Sequence, residues 1–464
     1  VRALHVIHDF LPRHRAGSEI YAYELCRALA ARGHELHVLC AEYDPTRSHG
    51  SLEWRFEGDL PVTEVVNNWC FESFAQSYRS QRLECQLDHV LAAVQPDVVH
   101  VHNLLNLSLG LPRLARARGI PSVATLHEYT LVCPSGGQRV HLGDRTVCHD
   151  LDPARCATCF PRSHLYSQMV YGRVSRVAAA GALTRVAGLV RRRFPRLFAR
   201  AGQLAAERAA ARETITAEDV ARRLEAVQEV YREVDLFVAP SPALAADFRR
   251  FGLPADRLRV SDYGFLPIGP IRRVSGDGRL RLGFVGTLVW HKGAHVLVEA
   301  VRRLTADACT VHLFGSLDTF PDYVAELREA ARGLPVHFEG GFDRERLGEV
   351  YGRVDALVVC SLWPENSPLV IHEAFMAGLP VVGSRMGGTA DLVRDGVNGL
   401  LYDAESPDSL AAALRRLLEQ PELRGRLAAA HPPVKTMAED AEEWERVYRE
   451  VVEPGRSGDE GLHR

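Results

Sequence analysis

Of the 56 Lys and Arg residues in this chain only two are Lys, Lys292 and Lys435. Lys292 stands in GFVGTLVWHKGAHVLVEA (283–300), where a strand is expected to end at Gly286 and a helix to start near Gly293. A compact ammonium at the carboxyl end of a strand suits a diphosphate. The competing reading is a surface Lys at a helix start, an unfavourable place for a cation because it opposes the helix dipole. A second stretch, SLWPENSPLVIHEAFMAGLPVVGS (361–384), carries Glu365 and Glu373 eight residues apart. Asn366, Ser367 and Pro368 mark a strand–loop–helix junction there. Ser367 can cap the helix, Pro368 suits its first turn, and the amides that follow would point at an anion. A Glu inside such a helix can accept two ribose hydroxyls. Two Glu at this spacing also arise by chance, so the junction around them carries the weight.

Three further sets have chemical types. In HDFLPRHRAGSEIYAYEL, the Gly17-Ser18 pair opens a helix after the first strand. Its bare amides suit a phosphate, and Ser18 reads equally as an N-cap. The turn is not G-x-G-x-x-G, which weighs against a dinucleotide dehydrogenase. His127, in ATLHEYTLVCP (124–134), falls at the end of a predicted strand. There a His can bond a sugar hydroxyl or share developing charge, although a lone His is more often structural. Cys133, Cys148, Cys156 and Cys159 fall within 27 residues, the last two as C-x-x-C. They read as a structural zinc site, with disulfides or free thiols as the alternatives. Four Cys would leave no open position for catalytic zinc.

These residues need a scaffold, and the hydrophobic pattern supplies one. Short apolar runs at 3–8, 35–40, 62–67, 97–102 and 121–126 alternate with helical stretches such as 18–32 and 81–94. The rhythm returns with strands at 280–286, 309–315, 335–340, 355–360 and 379–384, and helices at 293–304, 321–332, 343–352, 367–377 and 407–418. Strands alternating with helices imply right-handed crossovers and a parallel sheet. The expectation is α/β: two doubly wound domains, joined by the Pro- and Gly-rich segment 267–279. Residues 1–270 form the first domain and 271–437 the second, and a helix near 438–451 and a frayed tail complete the chain to residue 464.

The segment 160–234 has no strand signal. From Arg162 to Arg212 it carries eleven Arg against a single acid, Glu207, interleaved with Leu165, Met169, Val170, Leu189 and Phe194. Such helices can lie on an anionic membrane, pack on their own domain with a solvated Arg face, or meet another partner.

At 464 residues, 46% hydrophobic and 25% charged, the composition is that of a globular chain with sizeable cores. The net charge of −3 argues against nucleic acid as a partner. No apolar run is long enough to span a bilayer. The N-terminus reads as a strand rather than a leader, and the cysteines do not form a secreted frame, so a cytoplasmic setting is expected.

The AGSE turn, TLHEY, FVGTLVWHKG, the E-x7-E block in PENSPLVIHE, AFMAGLPVVGS and GGTADLVRDGVNGLLY (387–402) together resemble the retaining family-four glycosyltransferases of GT-B fold, the group 1 glycosyltransferases. The resemblance covers nearly the whole chain, is sharpest in the C-terminal half, and leaves out 160–234.

It implies two Rossmann-like domains facing an interdomain cleft. A nucleoside diphosphate sugar would sit on the second domain, and a glycan or lipid-linked acceptor on the first. By position, Glu373 would bind the ribose and Glu365 hydroxyls of the donor sugar. Lys292 and the amides of Leu369 and Val370 would hold the diphosphate, close to Asn366 and Ser367. His127 would touch the donor sugar and Gly17 would leave room for the diphosphate. No catalytic metal is implied. Where the family commonly has a basic residue after the Gly of the FVG strand, this chain has Thr287; Arg385 and Arg344 are the cations offered in exchange. The setting implied is cell-surface polysaccharide or glycolipid synthesis at the inner face of the plasma membrane. A sugar-nucleotide epimerase and a non-catalytic partner subunit of the same fold are the alternatives.

Overall fold

The computed structural model of the chain describes residues 1–178, 193, 214–274, 278–305 and 308–453. The chain divides into two compact units. The first comprises Val1–Ala239, Phe248–Arg259 and the C-terminal stretch from Ala438; the second comprises Pro240–Asp247 and Val260–Met437. The expected boundary at residue 270 thus falls inside the second unit.

The first unit is built on β1 (Arg2–Ile7), β2 (Glu35–Glu42), β3 (Leu52–Glu57), β4 (Leu60–Val66), β5 (Val98–Val101) and β6 (Ser122–Thr125). A small hairpin of β7 (Val140–His141) and β8 (Thr146–Val147) follows, then β9 (Leu236–Ala239) and β10 (Leu258–Val260). The large sheet runs β10-β9-β6-β5-β1-β2-β4-β3. Five of its strands match the apolar runs read from the sequence. The additions lie at its edges: β3 pairs antiparallel with β4, and β9 and β10 extend the other side. β3 escapes a burial-based reading because its apolar side chains face out, with Trp54 52% and Phe56 71% exposed. The continuous core runs of β1 and β2 are the signature of a parallel sheet covered on both faces.

The second unit carries β11 (Leu280–Val285), β12 (Cys309–Phe314), β13 (Val336–Gly340), β14 (Ala356–Val359), β15 (Val381–Ser384) and β16 (Gly399–Tyr402). Its order is β13-β12-β11-β14-β15-β16, all pairs parallel. The order reverses between β11 and β14, the topological switch point where an open α/β sheet leaves a crevice at its carboxyl edge. Two buried clusters cover the two faces. One gathers Leu282, Phe284, Leu297, Val311 and Leu414; the other gathers Leu357, Ile371, Phe375 and Val381.

The strand-free segment is helical where described. The helix Pro153–Cys159 is capped by Asp152, whose carboxylate accepts from the Ala154 and Arg155 amides. The helix His164–Ala178 follows, and the helix Ala217–Glu233 begins with a Thr216–Asp219 capping box. Leu165, Tyr166, Met169 and Val170 are all buried, so this part of the basic segment packs its apolar face within its own unit. The Arg-rich stretch 179–213, apart from Arg193, lies outside the described residues. The helix Met437–Val452 returns to the first unit, where Trp444 and Tyr448 are buried. Among the described residues no helix is long and apolar enough to cross a membrane.

Candidate functional site

The second unit brings Lys292 and Glu365 together at its switch point. β11 ends at Val285, and a loop leads into a 3-10 turn, Trp290–Lys292. Gly293 then opens the helix Ala294–Val301 with φ +73°, and a Cβ there would stand 1.9 Å from the Cys360 carbonyl oxygen. Only Gly lets this turn press against the loop after β14, which is what sets Lys292 beside Glu365. Lys292 Nζ donates to Glu365 Oε1 at 2.5 Å and stands 5.5 Å from the centre of the Trp363 ring.

Glu365 is 4% exposed, and its Oε1 also accepts from Ser361 Oγ at 2.5 Å and Trp363 Nε1 at 3.0 Å. Three donors therefore hold one oxygen, while Oε2 accepts from no group among the described residues. Such pairing satisfies one side of a buried carboxylate. Its second oxygen can accept further donors. An ammonium carries three donors, so Lys292 keeps two after Glu365 takes one.

Glu373 lies one and a half turns into the helix Leu369–Met376. Tyr351 Oη donates to its Oε2 at 2.7 Å and Arg344 Nη1 to its Oε1 at 3.3 Å. Burial pushes its carboxyl up from the ordinary range, while Arg344 and Tyr351 pull it down. The helix has no side-chain cap. Its N-cap is Pro368, which has no N–H, and the amides of Leu369 and Val370 stand in the first turn, where no intrahelical acceptor exists. Leu369 and Val370 are half-buried.

The expected capping role of Ser367 is not what the structure shows. Its hydroxyl donates to Asp262 Oδ1 at 2.8 Å and lies 3.0 Å from His372 Nε2. It thus ties the loop to the segment before β11 and to the His372 ring, and caps no amide of its own helix. Asn366 Nδ2 donates to Tyr263 Oη at 3.2 Å on the same segment. The loop is closed from the far side by Gly388, whose amide donates to the Glu365 carbonyl at 2.7 Å. Thr287 is exposed on the loop after β11. The cations offered in place of a basic residue there are engaged elsewhere: Arg344 with Glu373, and Arg385 at 3.8 Å from both Asp395 and Asp403.

In the first unit, Gly17 is the first residue of the helix Gly17–Ala31, behind Ala16, and no side chain caps it. Ser18 is not the N-cap; it lies inside the first turn and its hydroxyl donates to Glu19 Oε2 at 3.1 Å. The first-turn amides are therefore bare, as anion contact requires.

His127 follows β6 and is 7% exposed. Its Nε2 lies 2.9 Å from His102 Nδ1. Burial lowers its pKa to about 3, so the ring is neutral. Next to it burial raises the Glu128 carboxyl, which accepts from Asn103 Nδ2 at 2.7 Å. His102, Asn103 and Tyr351 escaped the sequence reading. The signal for the first existed in DVVHVH, whose period of two puts His100 and His102 on one face of a strand.

The four cysteines gather around the β7–β8 hairpin and the helix behind it. None is in a disulfide, and burial pushes Cys156 up to about 12, with the other three sulfurs adding to the shift. Cys159 Sγ accepts from the Leu142 amide at 3.4 Å. Among the described residues two clusters bring three ligand atoms within 4.8 Å of one another, His5/His100/His102 and His8/Asp9/Glu19; the cysteine sulfurs form no such cluster.

Comparison with known proteins agrees with this fold. Residues 272–432 match the family model of glycosyl transferases group 1, and residues 15–166 that of glycosyltransferase family 4. A D-inositol 3-phosphate glycosyltransferase of Xylanimonas cellulosilytica is 32% identical over 44% of this chain and 53% of its own length. The spore coat protein SA of Bacillus subtilis is 30% identical over 36% of this chain and 45% of its own. The matched stretch thus spans about half the length of these relatives. Among solved structures, Anabaena HepE in complex with UDP and glucose shares the fold at a TM-score of 0.60 and 16% identity, covering 98% of each chain. Sucrose-phosphate synthase of Thermosynechococcus elongatus does so at 0.63 and 17%, covering 97% of this chain and 98% of the other. On its two matching family models, its two parallel α/β units and these structural neighbours, the chain belongs to the group 1 glycosyltransferases of GT-B fold.

Proposed function

We propose that this protein moves a sugar from a nucleoside diphosphate sugar to an acceptor hydroxyl, with retention of anomeric configuration. The observation that carries the reading is Glu365. Three donors, Lys292 among them, hold one of its oxygens and leave the other for a ligand, at the switch point of the sheet and in the loop that leads to the first-turn amides of Leu369 and Val370. A sugar diphosphate has what this arrangement lacks: hydroxyls for the carboxylate and anionic oxygens for the ammonium and the amides. Glu373 would accept the ribose hydroxyls in exchange for its contact with Arg344, which frees a guanidinium for the diphosphate.

In this reading the C1–O bond to the β-phosphate breaks, and the charge that develops on the leaving oxygen is met by Lys292 and the helix amides. The acceptor oxygen attacks C1 from the same face. Its proton passes to the departing phosphate oxygen, and no protein nucleophile is needed. His127 and Gly17 of the first unit serve the donor sugar and the diphosphate. The acceptor is a glycan or a lipid-linked glycan of the cell surface. The basic segment 160–234 would bring the enzyme to an anionic lipid surface on the cytoplasmic face.

The test is the product. With a donor of known anomeric configuration and an acceptor panel that includes inositol phosphates and lipid-linked glycans, NMR of the new linkage should show the donor's own configuration. An inverted product overturns retention. Interconversion of the sugar nucleotide without transfer would instead point to an epimerase.

A further inference from the structure

Asp262 reaches both ends of the Glu365–Glu373 block from another part of the second unit. Ser367, two residues after Glu365, donates its hydroxyl to Asp262 Oδ1 at 2.8 Å. His372, the residue before Glu373, brings Nε2 to 3.2 Å from Asp262 Oδ2 and to 3.0 Å from Ser367 Oγ. The three side chains close a triangle, and the two that belong to the block flank its two carboxylates in sequence. Ser367 and His372 are buried, and the Phe265 ring stacks on His372 with 4.5 Å between centres. Asp262 is itself anchored. Its Oδ1 also accepts from the Tyr263 amide at 2.8 Å. Lys435, the second of the two lysines, donates to Ser261 Oγ at 3.0 Å and to the Asp262 carbonyl at 2.9 Å. The Phe265 amide donates to the Lys435 carbonyl, and the Met437 amide to the Phe265 carbonyl, each at 2.9 Å.

The hydrogens in the triangle can be placed. Ser367 has one hydroxyl hydrogen, and the 2.8 Å contact with a carboxylate oxygen uses it. Ser367 Oγ then meets His372 Nε2 as an acceptor, so Nε2 carries a hydrogen, which Asp262 Oδ2 shares. The opposite arrangement has a bare Nε2. It would draw the hydroxyl hydrogen away from Asp262 and set the lone pairs of ring and carboxylate against each other at 3.2 Å. An unmade buried hydrogen bond is costly, which selects the first arrangement. The carboxylate is therefore the acceptor on which both other groups depend. Without it the hydroxyl is free to turn, and the loop between Glu365 and the helix Leu369–Met376 loses this tie to the segment 261–265.

We infer that Asp262 is a positioning residue for the donor site: by holding Ser367 and His372 it fixes how Glu365 and Glu373 face one ligand. Glu365 lies on a loop and Glu373 on the helix that follows, whose start has no side-chain cap to stiffen it. The triangle spans that start and binds its two sides to one carboxylate, the kind of support that keeps a binding constellation in register. This rests on the reading of Glu365 and Glu373 as contacts to a nucleoside diphosphate sugar. It adds a residue 105 positions from Ser367 that acts on the ligand through two others.

The experiment titrates the full chain and its variants with UDP-glucose, GDP-mannose and ADP-glucose by calorimetry, beside melting curves. Long-range 1H–15N correlation on ring-15N histidine reads the triangle itself, the His372 signals being assigned by their loss in His372→Phe. Wild type should carry hydrogen on His372 Nε2. Asp262→Ala should give a mixture of tautomers, since the freed hydroxyl can donate to that nitrogen. Affinity for the probe that wild type binds should fall roughly ten- to hundredfold in Asp262→Ala. In a Ser367→Ala, His372→Phe background the same change should cost less than about twofold, because nothing is left for Asp262 to act through. If Asp262→Ala does not fold, Asp262→Asn carries the same test, because it keeps the size and sets an N–H against one of the two donors. A bare Nε2 in wild type overturns the inference. So does a full further loss in the double-variant background, which would make Asp262 act by itself. A variant that melts lower but binds as wild type does shows a structural role only, and overturns it too. If Nε2 holds its hydrogen yet wild type binds none of the probes, the triangle is real but the donor reading fails, and the positioning role fails with it.

Discussion

At the scale of the residue, the account turns on Glu365 and the Gly that positions its partner. Glu365→Gln keeps the shape and loses the charge that Lys292, Ser361 and Trp363 converge on. Its transfer rate should fall about 10²-fold or more while the fold persists, read by steady-state kinetics beside a melting curve. Lys292→Arg should not restore what Lys292→Ala loses, because a planar fork does not replace a compact ammonium at 2.5 Å from the carboxylate. Gly293→Ala is a structural test. Its Cβ would meet the Cys360 carbonyl at 1.9 Å on a backbone of positive φ, so the variant should lose about 2–4 kcal/mol of stability, measured by urea unfolding. Much of this site was legible. Lys292, Glu365 and Glu373 stand out by type and spacing, and the structure brings Lys292 and Glu365 into contact. What was not legible is what holds them: Ser361, Trp363 and Tyr351 are residues of common type, brought to the carboxylates by a loop and a neighbouring helix that no periodicity announces. The roles expected for Ser18 and Ser367 went wrong for a related reason. Each hydroxyl found a carboxylate, the stronger acceptor, in preference to an amide of its own helix.

At the scale of the element, the sheet face of β1, β5 and β6 has a measurable signature. Its four imidazoles, His5, His100, His102 and His127, stay neutral when folded and take up protons near pH 6.5 when unfolded. Because the folded pKa values are lowered, stability is complete above pH 6.5 and is lost as the pH falls toward 3. Each ring removes up to about 1.4 kcal/mol per pH unit, so the four together approach roughly 5.5 kcal/mol per unit. The raised carboxyls of Glu128 and Glu373 act with the opposite sign and lessen the slope. Urea unfolding at pH 7.5, 6.5 and 5.5 should show a steep loss over the last step, and a flat profile would contradict the neutral, buried rings. The parallel strands of both sheets were readable because burial on two faces writes them as unbroken apolar runs. β3 was not, since its Trp54 and Phe56 face outward, and β16 was hidden in a four-residue GLLY inside a longer motif.

At the scale of the molecule, strand order decides which residues each α/β unit brings together. In the second, the reversal between β11 and β14 leaves Lys292 at the end of one strand and Glu365 at the end of the other. In the first, β1, β5 and β6 lie side by side and bring His5, His102 and His127 to one file. The C-terminal helix belongs to the first unit although it follows the second in sequence, an arrangement that periodicity alone could not assign. The central claim, that the second unit holds a nucleoside diphosphate sugar at Glu365 and Glu373, is tested most directly by the melting temperature of the purified chain titrated with UDP, GDP and ADP and their sugar conjugates. A ligand that binds only the folded state at a hundred times its Kd adds about 2.7 kcal/mol and raises the midpoint. The midpoint should rise with one nucleotide family, more for its sugar conjugate, and the rise should be lost in Glu373→Ala. No rise with any of them, or a rise that Glu373→Ala leaves intact, would contradict it.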